Sequence, residues 1–171
     1  MKWICYYPVS ALLCACLLSG CASFEVSGLS GDFVRTTLFS SLDTFRYKHT
    51  MVSGMAMRQD SQEMVLKQVS ERVLSEELVA RGFEAVSENV DFYVVTKWRK
   101  EINLSAVEVV RFSLIIELYE EATQKVFWRA ELPHILSAMQ WSEERIAVTL
   151  RQAIESFPER IEKDPNLPNL Q

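Results

Sequence analysis

The chain has 171 residues, 18 Lys and Arg against 23 Asp and Glu, and a formal net charge of −5. An acidic protein gains nothing from counterion release along a phosphate backbone, which argues against nucleic acid as a partner. All 4 cysteines fall at or before position 21, so a disulfide framework is excluded from whatever follows.

Taken in order, Met1 and Lys2 supply positive charge, Trp3 to Leu18 is almost wholly apolar, and Ser19 and Gly20 are small. This is the pattern of a cleaved secretory leader, residues 1–20. The apolar run falls short of the roughly 20 residues that a membrane-spanning helix needs, and Pro8 interrupts it. Leu18-Ser19-Gly20-Cys21 resembles the bacterial lipobox, which implies cleavage between Gly20 and Cys21. The resemblance also implies a diacylglycerol and an N-acyl chain on Cys21. Cys5, Cys14 and Cys16 would leave with the leader. One acyl chain holds a protein to a bilayer only marginally, whereas several hold it firmly. Ala22 follows the cysteine in place of the Asp that retains enterobacterial lipoproteins in the inner membrane, so by analogy the destination is the outer membrane, facing the periplasm of a Gram-negative cell.

Residues 21–32 read as the lipidated N-terminus and a Ser- and Gly-rich tether, although Phe24 to Val26 would also suit a short edge strand. Residues 33–160 read as one α/β domain and residues 161–171, with Pro165 and Pro168, as a frayed tail. The first full strand is expected over 39–50, where aromatic and basic residues alternate through Phe45-Arg46-Tyr47-Lys48-His49. Met51 to Met57 is expected as an apolar loop broken by Gly54. Asp60 and Glu63 resemble a capping box. The helix that follows runs to Ala80, with Val65, Val69 and Val73 at spacing four, Leu66, Leu74 and Leu78 widening the stripe, and Gly82 as its stop.

Alternation then predicts strands over 91–101 and around 110–118, joined in antiparallel fashion. A turn at Ala122-Thr123-Gln124 leads to a returning strand on which Val126, Trp128, Ala130 and Leu132 face inward, opposite Phe127, Arg129 and Glu131, and which ends at Pro133 or sits at a sheet edge there. Ser142 caps a last helix whose apolar stripe is Ile146, Leu150, Ala153, Ile154 and Phe157, ended by Pro158. The fold class is therefore α+β: a two-layer sandwich of a four-stranded, mostly antiparallel sheet with two helices on one face, in the order β-α-β-β-β-α.

Arg81-Gly82-Phe83, Asp91-Phe92, Leu118-Tyr119, Val126-Phe127-Trp128-Arg129 and Phe157-Pro158 follow one another as landmarks. In that order and spacing they resemble the DUF4136 family (domain of unknown function 4136) of bacterial lipoproteins, over residues 33–160. The resemblance implies a periplasm-facing α/β lipoprotein and brings no established activity and no catalytic residues. The chain departs from the family's pattern at Phe45-Arg46-Tyr47, where an aromatic pair ending in Trp is usual, and in the Met-rich stretch after it.

Catalytic chemistry has little foothold. A nucleophile needs a base in hydrogen-bond reach, and the only histidines are His49 and His134. The acid pairs Glu76-Glu77, Glu120-Glu121 and Glu143-Glu144 are adjacent in sequence and cannot share a face. His49, Met51, Met55 and Met57 form a weak candidate set for Cu(I), whose preference is for thioethers and imidazole, although methionines also fill ordinary cores. Lys97, Arg99 and Lys100 around Trp98 make a basic strand end that would suit lipid phosphate or an anionic glycan, or else a solvated sheet face paired with Glu101, Glu117 or Glu131. Tyr93, Val95, Ile115, Tyr119 and Phe127 would cluster on the sheet face without helices, as a partner surface. The expectation is a non-catalytic envelope binding or assembly module, held to the membrane by its lipid, whose partner is an envelope protein or cell-wall component. It needs no cofactor. The alternatives are an envelope hydrolase or metal enzyme, and a small-ligand module on the open sheet face.

Overall fold

The computed structural model describes residues 31–54, 61–103, 109–137 and 142–162. The leader, Cys21, the tether, Met55, Met57, Asp60 and the residues after 162 lie outside them. Two helices pack on one face of a six-stranded mixed sheet. The strands are β1 (Asp32–Phe33), β2 (Thr44–Gly54), β3 (Glu84–Ala85), β4 (Phe92–Asn103), β5 (Val109–Glu120) and β6 (Lys125–Ser137), and the helices are α1 (Ser61–Ala80) and α2 (Glu143–Ile154). Their order across the sheet is β1-β6-β5-β4-β2-β3.

The main elements appear in the order the sequence predicts, but the sheet differs in three ways. It has six strands, because two-residue strands finish both edges. β1 pairs with Trp128 and Arg129 of β6, and β3 with Thr44 and Phe45 of β2. It is mixed, because α1 carries the chain back to the end of the sheet from which β2 started, which makes β2 and β4 parallel neighbours. The third difference is length: β2 starts at Thr44, after a helical turn at Phe39–Ser41, and continues through Met51 to Gly54, paired with Lys97 to Lys100, in place of the expected loop, while β6 runs past Pro133, which sits at the sheet edge, to Ser137.

The apolar stripe of α1 is buried as its spacing predicts, through Leu66, Val69, Val73, Leu74 and Leu78. Gly82, at φ +90°, closes the helix: its N–H donates to Val79 O at 2.9 Å and that of Phe83 to Leu78 O at 3.1 Å, the double bond of a left-handed C-terminal cap. Ser142 accepts the N–H of Arg145 at 3.2 Å and so caps α2. Arg81 joins the two helices, donating to Phe157 O at 3.1 Å and to Ile154 O at 3.2 Å, the carbonyl that also accepts the Phe157 N–H at 2.9 Å at the end of α2. Asp91 Oδ2 accepts the N–H groups of Asp43 and Thr44, both at 2.8 Å, and fastens the start of β2 to that of β4.

One irregularity reorganises the core. Leu118 pairs with Trp128 and Tyr119 with Val126, so Phe127 is an extra residue in β6. Such a bulge turns two successive side chains to the same side. Phe127 and Trp128 are both fully buried, against the expectation that Phe127 lies on the open face and Val126 inside. Phe127 meets Phe33, Phe92 and Phe157, and the Phe157 ring stands 5.3–6.4 Å from those of Phe33, Phe39, Phe83, Phe92, Phe127 and Trp128. Gly31 lies against the Trp128 indole so closely that a Cβ there would stand 2.0 Å from the ring, and its carbonyl accepts from Ser156 Oγ at 2.6 Å.

Removing the ring at the centre of this cluster leaves a cavity that six aromatic neighbours cannot close. Phe157→Ala is expected to cost about 3–5 kcal/mol in urea unfolding, whereas Phe33→Ala, at a residue 40% exposed, costs less.

Candidate functional site

The sheet face away from the helices is built by β2, β4, β5 and β6, whose registers align it in rows. Tyr93 stands beside Arg46 on one side and Tyr119 on the other. The next row is His49, Val95, Glu117 and Arg129, and the one after it Met51, Lys97, Ile115 and Glu131.

Glu117 sits at the centre, only 6% exposed although no helix covers it. Its neighbours enclose it. Lys97 Nζ donates to Oε2 at 2.6 Å, Tyr119 OH donates to the same oxygen at 2.6 Å, and the Arg129 guanidinium stands 3.9 Å from Oε1 while also pairing with Glu131 at 2.8 Å. Burial by itself would raise the Glu117 pKa, but the Lys97 and Tyr119 hydrogen bonds and the Lys97 and Arg129 charges together hold it below the usual carboxylate value. Its partners respond in the opposite sense. The hydrogen bond to Glu117 raises Lys97, and burial, then the Glu117 bond, raises Tyr119. Neither is tuned towards deprotonation, so both groups keep their protons and neither is poised as a base at neutral pH.

A second group lies at the β2 side. Lys48 is the extra residue of a bulge between Tyr47 and His49, and this bulge brings the Arg46 guanidinium and the Lys48 ammonium to 5.2 and 4.9 Å from the Tyr93 ring centre. Arg46 also donates to Ser87 O at 2.6 Å. Among the described residues neither cation is paired with a carboxylate. Arg99 leans on Glu101 at 3.6 Å, and Glu101 Oε2 is 3.1 Å from His134 Nδ1. Over the described part of this face six cations (Arg46, Lys48, Lys97, Arg99, Arg111 and Arg129) stand against five carboxylates (Asp32, Glu84, Glu101, Glu117 and Glu131). The two helices carry the reverse balance, six acids to four bases.

The expected residues are therefore distributed as follows. Tyr93, Ile115 and Tyr119 are half-buried on the uncovered face, Val95 is there but buried to 4% beneath its neighbours, and Phe127 is in the core. The patch is charged, in contrast to the apolar one that alternation predicts. Lys97 and Arg99 share the uncovered face, while Lys100 lies on the other side and Trp98 is buried with its indole N–H on Ser70 Oγ at 2.9 Å. His49 and Met51 share the uncovered face of β2, and Met55 and Met57 lie outside the described residues. Among the described residues no three His, Cys, Asp or Glu side chains converge.

Glu77 and Glu120, members of the adjacent acid pairs, are structural. Glu77 pairs with Arg81 at 2.7 Å and Arg151 at 3.3 Å. Glu120 binds Thr123 and Arg35, which hold its pKa down, and accepts from Thr37 at 2.9 Å. Beside it lies an open depression of about 490 Å³ lined by Phe33, Val34, Arg35, Thr36, Thr37 and Phe39. Alternation locates the rows, but the Glu117 enclosure depends on cross-strand register and the Arg46–Lys48 pair on a bulge. Neither leaves a signal in one sequence.

No family model and no curated protein matches the chain. Solved structures do. A DUF4136 family protein from Bacteroides thetaiotaomicron superposes with a TM-score of 0.52 at 9% identity, over 75% of this chain and 94% of that one. A PDZ domain protein from Parabacteroides distasonis gives 0.54 at 13% identity over 78% of this chain, which spans only 36% of that longer chain. A PelC dodecamer from Paraburkholderia phytofirmans aligns at 0.48 and 10% identity over 74% and 96%.

The depressed Glu117 pKa gives a sign for pH dependence. A carboxylate that binds protons less readily folded than unfolded contributes stability above its unfolded pKa and loses it as pH falls through the folded one. Glu117→Gln is expected to cost about 1–3 kcal/mol at neutral pH, and its deficit relative to wild type should shrink as urea titrations are repeated below pH ~4.3. With geometry and comparisons taken together, the chain has the fold of the DUF4136 protein, the one its landmark motifs imply.

Proposed function

We propose that this chain is a lipoprotein of the DUF4136 kind, carried by lipid on Cys21 at the periplasmic face of the outer membrane, and that its domain is a non-catalytic binding or assembly module of the cell envelope. The leader and Leu18 to Cys21 support the anchoring. The shared fold supports the kinship. Among the described residues no helix is long and apolar enough to cross a membrane.

The observation that carries the binding reading is the uncovered sheet face. Its titratable centre, Glu117 with Lys97, Tyr119 and Arg129, is closed on itself, so the groups that chemistry would require are committed to one another. Cations without carboxylate partners among the described residues instead stand at its edge, where they meet whatever arrives. A charged, half-aromatic surface of this kind recognises an anionic envelope component; it requires no cofactor.

Cell fractionation tests the anchoring. Cys21→Ser is expected to move the polypeptide from the membrane pellet, washed at high salt, to the soluble fraction, and globomycin to accumulate the uncleaved precursor. Retention of the variant in the pellet through a high-salt wash, or processing that ignores the inhibitor, contradicts it.

A further inference from the structure

The uncovered face and the place where the chain enters the fold are connected. Ten residues, 22–31, follow Cys21 up to the first described position, and fully extended they reach at most about 33–36 Å. A domain on so short a leash cannot leave the neighbourhood of the bilayer that holds it. Orientation is then decided by weak forces, because the anchor has already removed the translational freedom that free association would have to give up.

The charge distribution supplies such a force. The described part of the sheet face carries six cations to five carboxylates, with Arg46 and Lys48 clustered at its β2 side, and the helix layer carries six acids to four bases, so an anionic surface attracts the β2 side of the first and repels the second. Arg46 and Lys48, without carboxylate partners among the described residues, both stand over the Tyr93 ring, and Met51, 50% exposed, stands on the same face. Basic heads around an amphipathic ring and an exposed thioether match the headgroup layer of a membrane. The alternative of an acidic peptide added as a strand beside β2 is disfavoured by the bulge at Lys48, since a bulge and a lysine are the devices that blunt a sheet edge.

We infer that the uncovered sheet face lies against the anionic phospholipid leaflet that holds the anchor, with Arg46, Lys48 and Tyr93 at the contact. The inference rests on the lipoprotein reading for its geometry. Its test does not need the lipid.

The mature chain with Cys21→Ser is mixed with vesicles of phosphatidylcholine, with and without phosphatidylglycerol, and pelleted. This lipid-free chain should bind only the vesicles containing phosphatidylglycerol, more weakly as salt rises. At roughly five-fold per cation near the surface, Arg46→Gln with Lys48→Gln should lower partitioning about thirty-fold, while Arg72→Gln with Arg145→Gln on the helices should leave it within about two-fold. Lys48→Gln alone, at an exposed position, should give the single step of about five-fold and guards against misfolding of the double variant. Equal loss from both double variants, binding that ignores phosphatidylglycerol, or capture by peptidoglycan or polyglutamate in place of vesicles each overturns the inference. A Cys21→Ser chain that stays in the cell-membrane pellet through a high-salt wash would instead sink the anchoring and leave this result standing.

Discussion

One surplus residue in β6 governs both sides of the sheet. With Phe127 inserted opposite no partner, two aromatic side chains in succession turn inward, and Val126 takes the outward place beside Tyr119. The inner consequence is the ring cluster around Phe157, which joins the N-terminal segment, β4, β6 and the end of α2. The outer consequence is that the uncovered face gives up an aromatic group and is organised by charge.

Charge on that face is managed in two ways. Glu117 is enclosed by Lys97, Tyr119 and Arg129, and a carboxylate so surrounded loses its hydration but keeps its ionisation, because two hydrogen-bond donors and a nearby guanidinium charge replace the water. Arg46 and Lys48 have a tyrosine ring between them and a carbonyl on the arginine. The first arrangement fixes the register of three strands. The second leaves positive potential directed at solvent.

How much of this the sequence discloses depends on periodicity. The stripes of α1 and α2 repeat over enough turns that their buried faces, the Ser142 cap and the Gly82 stop are all legible, and the alternation from Phe112 to Leu118 survives intact. Features with no period are not legible. β1 and β3 have two residues each, too few to alternate, and the bulges at Lys48 and Phe127 shift phase without changing composition. The end of β2 is hidden for a different reason: Met51 to Gly54 looks like loop by residue type and becomes strand because β4 offers it a partner. The landmarks that resemble DUF4136 lipoproteins, Arg81, Gly82, Asp91 and Phe157, turn out to cap, staple and pack. They report the architecture, whereas the site depends on residues outside those motifs.

The contact between Gly31, Trp128 and Ser156 has a mechanical meaning. Tension arriving along the chain from its N-terminal side meets no slack loop at this point; it meets a glycine wedged under an indole and hydrogen-bonded just beyond the end of α2. The two-residue strand beside it can unzip one pair at a time, but the wedge couples any tug to the aromatic interior. A pull on the chain ahead of Gly31 is thus shared with the rings around Phe157 and does not fall on β1 alone.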